Sequence, residues 1–242
     1  LAWGRWMAID PGMVTQAALG DEDPDDTVDE GVKAPTRTER LALLADYQNA
    51  AYAKRFSSAI EGFASALPKA LAPAQQERLI DAAAAALHRA MAYKDEYEVA
   101  RLYTSPAYRQ ELTEKFGSEF DLTFHMSPPL LAKTDPNTGE PEKVALSGKW
   151  VMPLLTMLAR LKGLRGTPFD LFGRTEERRS ERAFIGTVEG LLEKVAAQTT
   201  EANASAAEAV IEATLHVRGF GPVKARNLAE FEAKLPELLA GL

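Results

Sequence analysis

Two long stretches of helical periodicity, joined by a short connection, constrain the fold of this chain most strongly. Over residues 36–67 apolar side chains recur every three to four positions, and Pro68 ends the pattern. A second stretch covers residues 73–103 and stops before Pro106, since the residue preceding a proline disfavours the helical conformation. Because the connection is short, we predict that the two stretches form a long antiparallel helix hairpin.

The rest of the sequence predicts a mainly α protein in which shorter helices surround one small β hairpin. Helical patterns cover residues 106–116, 152–164, 175–200, 201–217 and 222–239, the last with a break near Pro236. Within residues 119–150 the period changes to two, because Phe120, Leu122 and Phe124 alternate with polar residues. Residues 135–139 form a strong turn and residues 143–150 supply the partner strand.

The first 35 residues differ from the remainder in composition. Residues 1–19 have a helical pattern that includes Trp3 and Trp6, and residues 20–35 are acidic and rich in turn formers, as in a linker. We therefore expect residues 1–19 to be a helical arm from a preceding domain, residues 20–35 a linker, and residues 36–242 the mainly helical domain. In this interpretation the chain is a piece of a longer protein.

Composition narrows the classes of function. The net charge of -7 argues against general nucleic-acid binding and against an anionic membrane surface. No apolar run approaches the roughly 20 residues of a membrane span. The chain has no cysteine, which excludes disulfides, thiolate nucleophiles and cysteine-held iron–sulfur clusters within it. No signal peptide is recognised, so a cytoplasmic location is expected.

A run of charged and aromatic residues from Tyr93 to Tyr103 stands out within the second helical stretch. At helical spacing Tyr93 and Tyr97 share one stripe, with Tyr103 at its edge and Arg101 among the surrounding charges. A helix that needs only solubility would use Ala, Glu and Lys. The tyrosines predict a wet, hydrogen-bonded packing surface.

This run resembles the C-terminal region of the long, fused indolepyruvate ferredoxin oxidoreductases, which are thiamine-diphosphate 2-oxoacid oxidoreductases. Four further stretches agree with the resemblance and occur in the expected order: residues 47–53, 122–131, 161–168 and 218–224. Together they cover roughly residues 40–240. The chemistry of that family is encoded upstream of this region.

The resemblance implies an intact enzyme that oxidatively decarboxylates aryl 2-oxoacids to acyl-coenzyme A and passes electrons to ferredoxin. Thiamine diphosphate, Mg²⁺, iron–sulfur clusters and coenzyme A are expected in that enzyme but not in this segment, which has neither the Gly-Asp-Gly run nor the following Asn-Asn of a thiamine-diphosphate site. The segment is expected to be a non-catalytic accessory domain. Its partners would be the catalytic domains of the same enzyme, and a homo-oligomer is compatible with the sequence.

Five residues are candidates for a substrate pocket or an interface: His125, Tyr97, Arg165, Tyr93 and Arg101. His125 precedes a loop-forming Ser-Pro-Pro, so it either lines a pocket or is a buried structural histidine. No catalytic residue is assigned. No metal ligand is assigned either, because the three histidines are far apart in sequence and form no HExxH pattern.

Basic residues near the C-terminus form a second candidate site, for an anion. Residues 217–228 contain a Gly-Phe-Gly turn before a helix and resemble the hairpin of helix-hairpin-helix DNA-binding modules, with Arg218, Lys224 and Arg226 as the cations. The alternative is a glycine-based helix connection. An arginine cluster at residues 174–182 either binds an anion or pairs with glutamates of its own helix. Two other functions therefore stay open: a freestanding helical interaction module and a DNA-binding module.

Overall fold

The computed structural model describes residues 34–126, 144–219 and 221–242, and over these residues the chain is mainly helical with one small antiparallel sheet. The elements are α1 (Arg37–Tyr47), α2 (Ala50–Ala66), α3 (Pro73–Met91), α4 (Glu96–Tyr103), α5 (Pro106–Phe116), β1 (Thr123–Met126), β2 (Val144–Ser147), α6 (Gly148–Arg160), α7 (Glu176–Gln198), α8 (Ala204–Ala213) and α9 (Pro222–Ala240). Single 3₁₀ turns follow α6 at Leu161–Leu164 and α8 at Thr214–His216. The predicted fold class is confirmed.

The predicted antiparallel hairpin is formed by α2 and α3. The Tyr52 hydroxyl near the start of α2 donates to the carbonyl of Met91 at the end of α3, at 3.0 Å. One turn further in, the rings of Phe56 and His88 meet edge to face with centroids 6.4 Å apart. The start of one helix therefore lies beside the end of the other.

The first predicted helix is interrupted, which corrects the expectation of one helix over residues 36–67. α1 ends at Tyr47 and α2 begins at Ala50. The physical reason is a new helix start at Asn49, whose side-chain oxygen accepts the backbone N–H of Tyr52 at 2.9 Å. The break also releases the Tyr47 carbonyl from helical bonding and makes it available to another group.

The second predicted helix is interrupted as well, so the expected helix over residues 73–103 is wrong in its middle. α3 ends at Met91 and α4 begins at Glu96, with Asp95 as its cap. The Asp95 carboxylate accepts the N–H of Glu98 at 2.8 Å. Consequently Tyr93 and Tyr97 do not share a helical stripe, because Tyr93 lies in the connection.

The β hairpin is confirmed, with shorter strands than predicted. β1 and β2 pair antiparallel, with Thr123 opposite Ser147 and Met126 opposite Val144. The second strand ends where Ser147 caps α6, its hydroxyl accepting the N–H of Lys149. Residues 148–150, expected in the strand, are therefore helical.

Two further boundaries differ from the prediction. α6 starts at Gly148 instead of near residue 152, and it accommodates Pro153. α9 continues through Pro236 without the expected break. The predicted arm at residues 1–19 and nearly all of the predicted linker lie outside the described residues.

The chain divides into two compact units. The terminal unit combines the described residues up to Arg40 with Ile60–Ala86 and Gly190–Leu242. The central unit combines Leu41–Ala59 with Leu87–Glu189. Its apolar core joins α4, β1 and α6 through buried Ala100, Phe124, Val151 and Leu155. Among the described residues, no helix combines the length and apolar character that crossing a membrane requires.

Candidate functional site

The candidate site is a buried ion pair between Arg165 and Asp95 in the central unit. Nε and Nη2 of Arg165 donate to the two carboxylate oxygens of Asp95 at 2.5 and 2.7 Å. Nη1 donates to the carbonyl of Tyr47 at 2.6 Å. The two side chains are only 2% and 3% exposed. Because removing charges from water is costly, a paired, two-bond geometry is what allows both to be buried here.

Three interruptions of the helices create the binding groups of this site. Tyr47 ends α1, so its carbonyl is free to accept from Arg165. Asp95 begins α4, and the same carboxylate that caps the helix binds the guanidinium. Arg165 itself follows the 3₁₀ turn after α6. The ion pair therefore ties together three segments that are distant in sequence.

Aromatic rings enclose the guanidinium. Its central carbon lies 3.7 Å from the centroid of the Tyr47 ring and 5.5 Å from that of Tyr97. Tyr93 meets the Tyr47 ring edge to face, with centroids 6.0 Å apart. A cation over a tyrosine face is attracted by the ring quadrupole, and the attraction is stronger when water is excluded. Tyr47, Tyr93 and Tyr97 are buried, at 2%, 4% and 2% exposure, so they pack in the interior of the unit instead of on the wet surface that the sequence predicted.

The tyrosine hydroxyls are engaged with the chain itself. Tyr47 donates to the carbonyl of Tyr93 at 2.8 Å. Tyr97 donates to Asp170 at 3.2 Å. Because α3 ends before Tyr93, its carbonyl lacks a helical partner, and the Tyr47 hydroxyl replaces that partner. These bonds fix the rings that surround Arg165.

Asp170 organises the loop that follows Arg165. Its carboxylate accepts the N–H of Gly166 at 2.8 Å and that of Gly173 at 2.9 Å. A Cβ on Gly173 would lie 2.1 Å from an Asp170 oxygen, so a larger residue would displace the carboxylate. Arg182 of α7 donates to the Gly173 carbonyl, and its other terminal nitrogen lies 3.6 Å from Asp170. The loop is therefore held by internal polar contacts.

Burial and neighbouring charges move the pKa values of the site away from neutral pH. Burial, with the nearby carboxylates, raises the pKa of Tyr93 and that of Tyr97 to about 12. The same causes raise the pKa of Tyr47 well above its ordinary value. For Arg165, burial lowers the pKa, but the hydrogen bonds and charge of Asp95 outweigh it and the pKa is raised. The hydroxyls stay neutral and the guanidinium stays charged, so these groups are poorly suited to general acid–base catalysis.

Arg101, the fifth candidate of the sequence analysis, lies at the edge of the same unit. It forms a two-bond ion pair with Glu98 at 2.8 and 2.7 Å and approaches Asp46 at 3.6 Å. The Asp46 carbonyl in turn accepts from Lys162. Of the five candidates, the structure therefore brings Arg165, Tyr97 and Tyr93 together and puts Arg101 nearby.

His125 is not part of this cluster. It lies on β1 opposite Ala145, and its side chain is exposed. This placement differs from the buried structural histidine that the sequence offered as one alternative. Among the described residues of the central unit, no hydrogen bond or ion pair joins His125 to Arg165.

The C-terminal basic residues occupy a separate place in the terminal unit. Arg218 and Arg226 line a surface depression of about 370 Å³, together with His216, Lys234 and the acidic Glu230. Lys224 is not among the lining residues. The turn before α9 uses positive φ angles at Gly219 and Gly221, 92° and 54°, as a glycine-based connection requires. Three basic side chains and one acidic side chain line the depression, so Glu230 offsets only part of its positive charge.

Within the arginine cluster at residues 174–182, Arg178 and Arg182 lie beside carboxylates, whereas Arg174 donates to the carbonyl of Pro168. Arg178 bonds to Glu181 at 2.7 Å, within α7 as one interpretation of the sequence predicted. It also reaches Glu96 of α4 at 3.3 Å, a contact between distant segments that the sequence did not reveal.

Sequence analysis missed Tyr47, Asp95 and Asp170 as members of the site. One signal was present for Asp95, because Asp followed three residues later by Glu98 is a helix-start pattern. Nothing local marked Tyr47, whose guanidinium partner is 118 residues away. Asp170 bonds to the nearby Gly166 and Gly173, but its contact with Tyr97 spans 73 residues. Among the residues that the structure describes, no three histidine or acidic side chains converge as a metal site would require.

Comparison with known proteins gives one match. The model of a family of unknown function (DUF6537) matches residues 34–237, which is most of the chain. No curated protein matches, and no solved structure matches.

Proposed function

The chain belongs to the DUF6537 family, a family of unknown function, and from its sequence resemblance we propose that it is a non-catalytic accessory domain of an enzyme similar to indolepyruvate ferredoxin oxidoreductase. Its role is to pack on the catalytic domains and order their assembly. The intact enzyme would convert aryl 2-oxoacids to acyl-coenzyme A in the cytoplasm, with ferredoxin as electron acceptor. Thiamine diphosphate, Mg²⁺ and iron–sulfur clusters are assigned to other parts of that enzyme.

One observation carries the non-catalytic part of the proposal: the polar groups that most resemble a site are engaged with one another. Arg165 has all three of its nitrogens bonded to Asp95 and Tyr47. Tyr97 and Asp170 are likewise bonded within the unit. Arg165 and Asp95 are also only 2% and 3% exposed, so a substrate does not reach either side chain in this arrangement. This cluster supports a role as a rigid support.

The choice of enzyme rests on the sequence resemblance. Residues 47–53 span the junction of α1 and α2, and residues 93–103 run from the connection after α3 through α4. Residues 161–168, one of those stretches, form the 3₁₀ turn and the start of the Asp170 loop. Three of the five stretches, residues 47–53, 93–103 and 161–168, therefore supply groups of the cluster, whereas the described residues of 122–131 and 218–224 lie outside it.

The experiment compares the intact parent enzyme with a version lacking residues 36–242. Indolepyruvate- and coenzyme-A-dependent reduction of an artificial electron acceptor is measured together with native mass. We expect activity and assembly to be lost together. Loss of activity in a normally assembled enzyme would instead assign a direct catalytic part to this chain. An intact enzyme that oxidises no 2-oxoacid would contradict the proposed similarity to indolepyruvate ferredoxin oxidoreductase and favour a freestanding interaction module.

A further inference from the structure

One helix of the central unit carries an apolar stripe that is left exposed. Trp150, Leu154 and Met157 of α6 are 83%, 57% and 53% exposed, and Leu161 in the following turn is 38% exposed. The spacings of four, three and four residues put all four side chains on one face of a helix. We name these four residues the α6 seam. A spacing of this kind is the one by which one helix packs along another.

The α6 seam is distinct from the face by which α6 is anchored. Val151 and Leu155 are buried against Ala100 of α4 and Phe124 of β1. At about 100° per residue these two positions lie on a different side of the helix from the seam. α6 is therefore held in place by one face while it presents the other, so the seam is a preformed surface.

Exposed apolar side chains are concentrated in the central unit. Among the described residues, every large apolar side chain with high exposure except Val223 belongs to it, including Phe169 and Leu171. Scattered single residues of this kind are ordinary, but a contiguous stripe that includes a tryptophan is typical of an interaction surface. Tryptophan is also the residue type that most often dominates binding energy at interfaces.

Charge identifies the kind of partner. The charged residues of 148–162 are Lys149, Arg160 and Lys162, with no Asp or Glu among them, within a chain of net charge -7. Lys149 and Arg160 are eleven residues apart, the separation of Trp150 and Leu161, and thus flank the seam on the same side. Lys149 pairs with the exposed Asp121 at 3.7 Å, which is a weak surface pair.

Two copies of α6 would bring these basic flanks together, which disfavours self-association. An acidic partner avoids that repulsion. We propose that the α6 seam receives an amphipathic helix of the catalytic domains whose apolar stripe is flanked by Asp or Glu. This inference rests on the proposed function and names the surface by which the domain would dock.

The test uses the intact parent enzyme with a photo-crosslinking residue, p-benzoylphenylalanine, in place of Met157. Phe116 on α5 is an equally exposed apolar residue outside the seam, and its replacement by the same residue is the matched control. We expect Met157 to crosslink to an acidic segment of the catalytic domains and Phe116 not to. In the Met157 version, Arg160→Glu should reduce the yield about tenfold, whereas Arg109→Glu, on exposed α5 surface, should leave it unchanged.

The inference is overturned if anything other than the catalytic domains covers the α6 seam, and each alternative gives a different result. Crosslinks confined to residues 1–33 or 127–143 would mean that the chain covers its own seam. Crosslinks between two copies would indicate a homodimer. Equal yields from Met157 and Phe116, or capture of the isolated chain by anionic vesicles through Trp150, would also contradict it. Activity of the same enzyme on indolepyruvate tests the proposed function separately, so the two failures are distinguishable.

Discussion

At the scale of single residues, the main feature is a guanidinium buried among tyrosines. Arg165 is charged and almost fully buried, which is tolerable only because Asp95 and the Tyr47 carbonyl take all three of its nitrogens. The arrangement is sensitive to removal of either partner, because an unpaired charge left in a dry site retains its full desolvation cost.

We predict that Arg165→Met lowers the free energy of unfolding by about 3–5 kcal/mol, since it leaves Asp95 buried without its counter-charge. Arg109→Met removes an arginine whose side chain is exposed, and it should change the free energy by less than about 0.5 kcal/mol. Urea unfolding followed by circular dichroism measures both. Equal effects of the two substitutions would contradict a structural role for the Arg165–Asp95 pair.

A second residue-scale prediction concerns alkaline pH. The pKa values of Tyr93 and Tyr97 are raised to about 12 in the folded chain, above the ordinary value of 10.0. Their contribution to stability is therefore complete below pH 10 and is lost as the pH rises toward 12, because the unfolded tyrosines ionise first. Each of these two tyrosines should lower the free energy of unfolding by about 1.4 kcal/mol per pH unit as the pH rises from 10 toward 12.

Tyrosinate absorbance and circular dichroism, recorded together during an alkaline titration, check this prediction. We expect ionisation of the buried tyrosines to coincide with unfolding. A smooth titration near the ordinary tyrosine pKa, with the helical signal retained, would contradict their burial. Tyr97→Phe should remove the contribution of that tyrosine and make the pH dependence shallower.

At the scale of elements, helix interruptions are what create the site. The breaks after Tyr47 and after Met91 release carbonyl groups that tyrosine and arginine side chains then bind. The strand-to-helix junction at Gly148 is equally specific. Its N–H donates to the carbonyl of Leu122 at 2.7 Å, which brings the two backbones into close contact.

This junction allows a matched pair of glycine substitutions. A Cβ on Gly148 would lie 2.9 Å from both the Cβ and the carbonyl oxygen of Leu122, so Gly148→Ala should destabilise the chain by about 1–3 kcal/mol. Gly186, exposed in the interior of α7, has no atom within 4 Å of such a Cβ. Gly186→Ala should therefore stabilise it by up to about 1 kcal/mol through helix propensity. Thermal unfolding measures the two shifts, and shifts of the same sign would contradict this packing.

At the scale of the whole molecule, charge separates the alternative functions. The net charge is -7, and the basic residues of the terminal unit share their depression with Glu230. Phosphate contacts dominate affinity for duplex DNA, and a negative protein field opposes them. The structure therefore gives little support to the DNA-binding alternative.

We predict that the chain does not bind duplex DNA at physiological salt, as measured by fluorescence anisotropy over a salt series. Lys224→Glu serves as the control, because it reverses one of the three cations that the helix-hairpin-helix resemblance assigns. Binding that weakens steeply with salt and disappears in Lys224→Glu would contradict the prediction. It would also favour nucleic-acid binding as the function of the chain.

The amino-acid sequence by itself determined the helical class, the hairpin and the small sheet. Helical periodicity, the prolines that end it and the change to a period of two are local properties of the chain, so they can be read without knowing what packs where. The sequence predicted only part of the cluster. Arg165, Tyr93 and Tyr97 were candidates because of their residue types and the resemblance of their segments to a family, but nothing in the sequence indicated that they lie together.

Only the tertiary structure decided where the long helices break and which groups meet at Arg165. The Asp95 cap of α4 is a local contact with Glu98, but the bonds of Arg165 to Asp95 and to the Tyr47 carbonyl join residues 70 and 118 apart. A pattern within one short stretch of sequence cannot reveal contacts between residues that lie so far apart in the chain. Periodicity fixes which face of a helix is apolar, but the exposed α6 seam also depends on which faces the neighbouring elements leave uncovered.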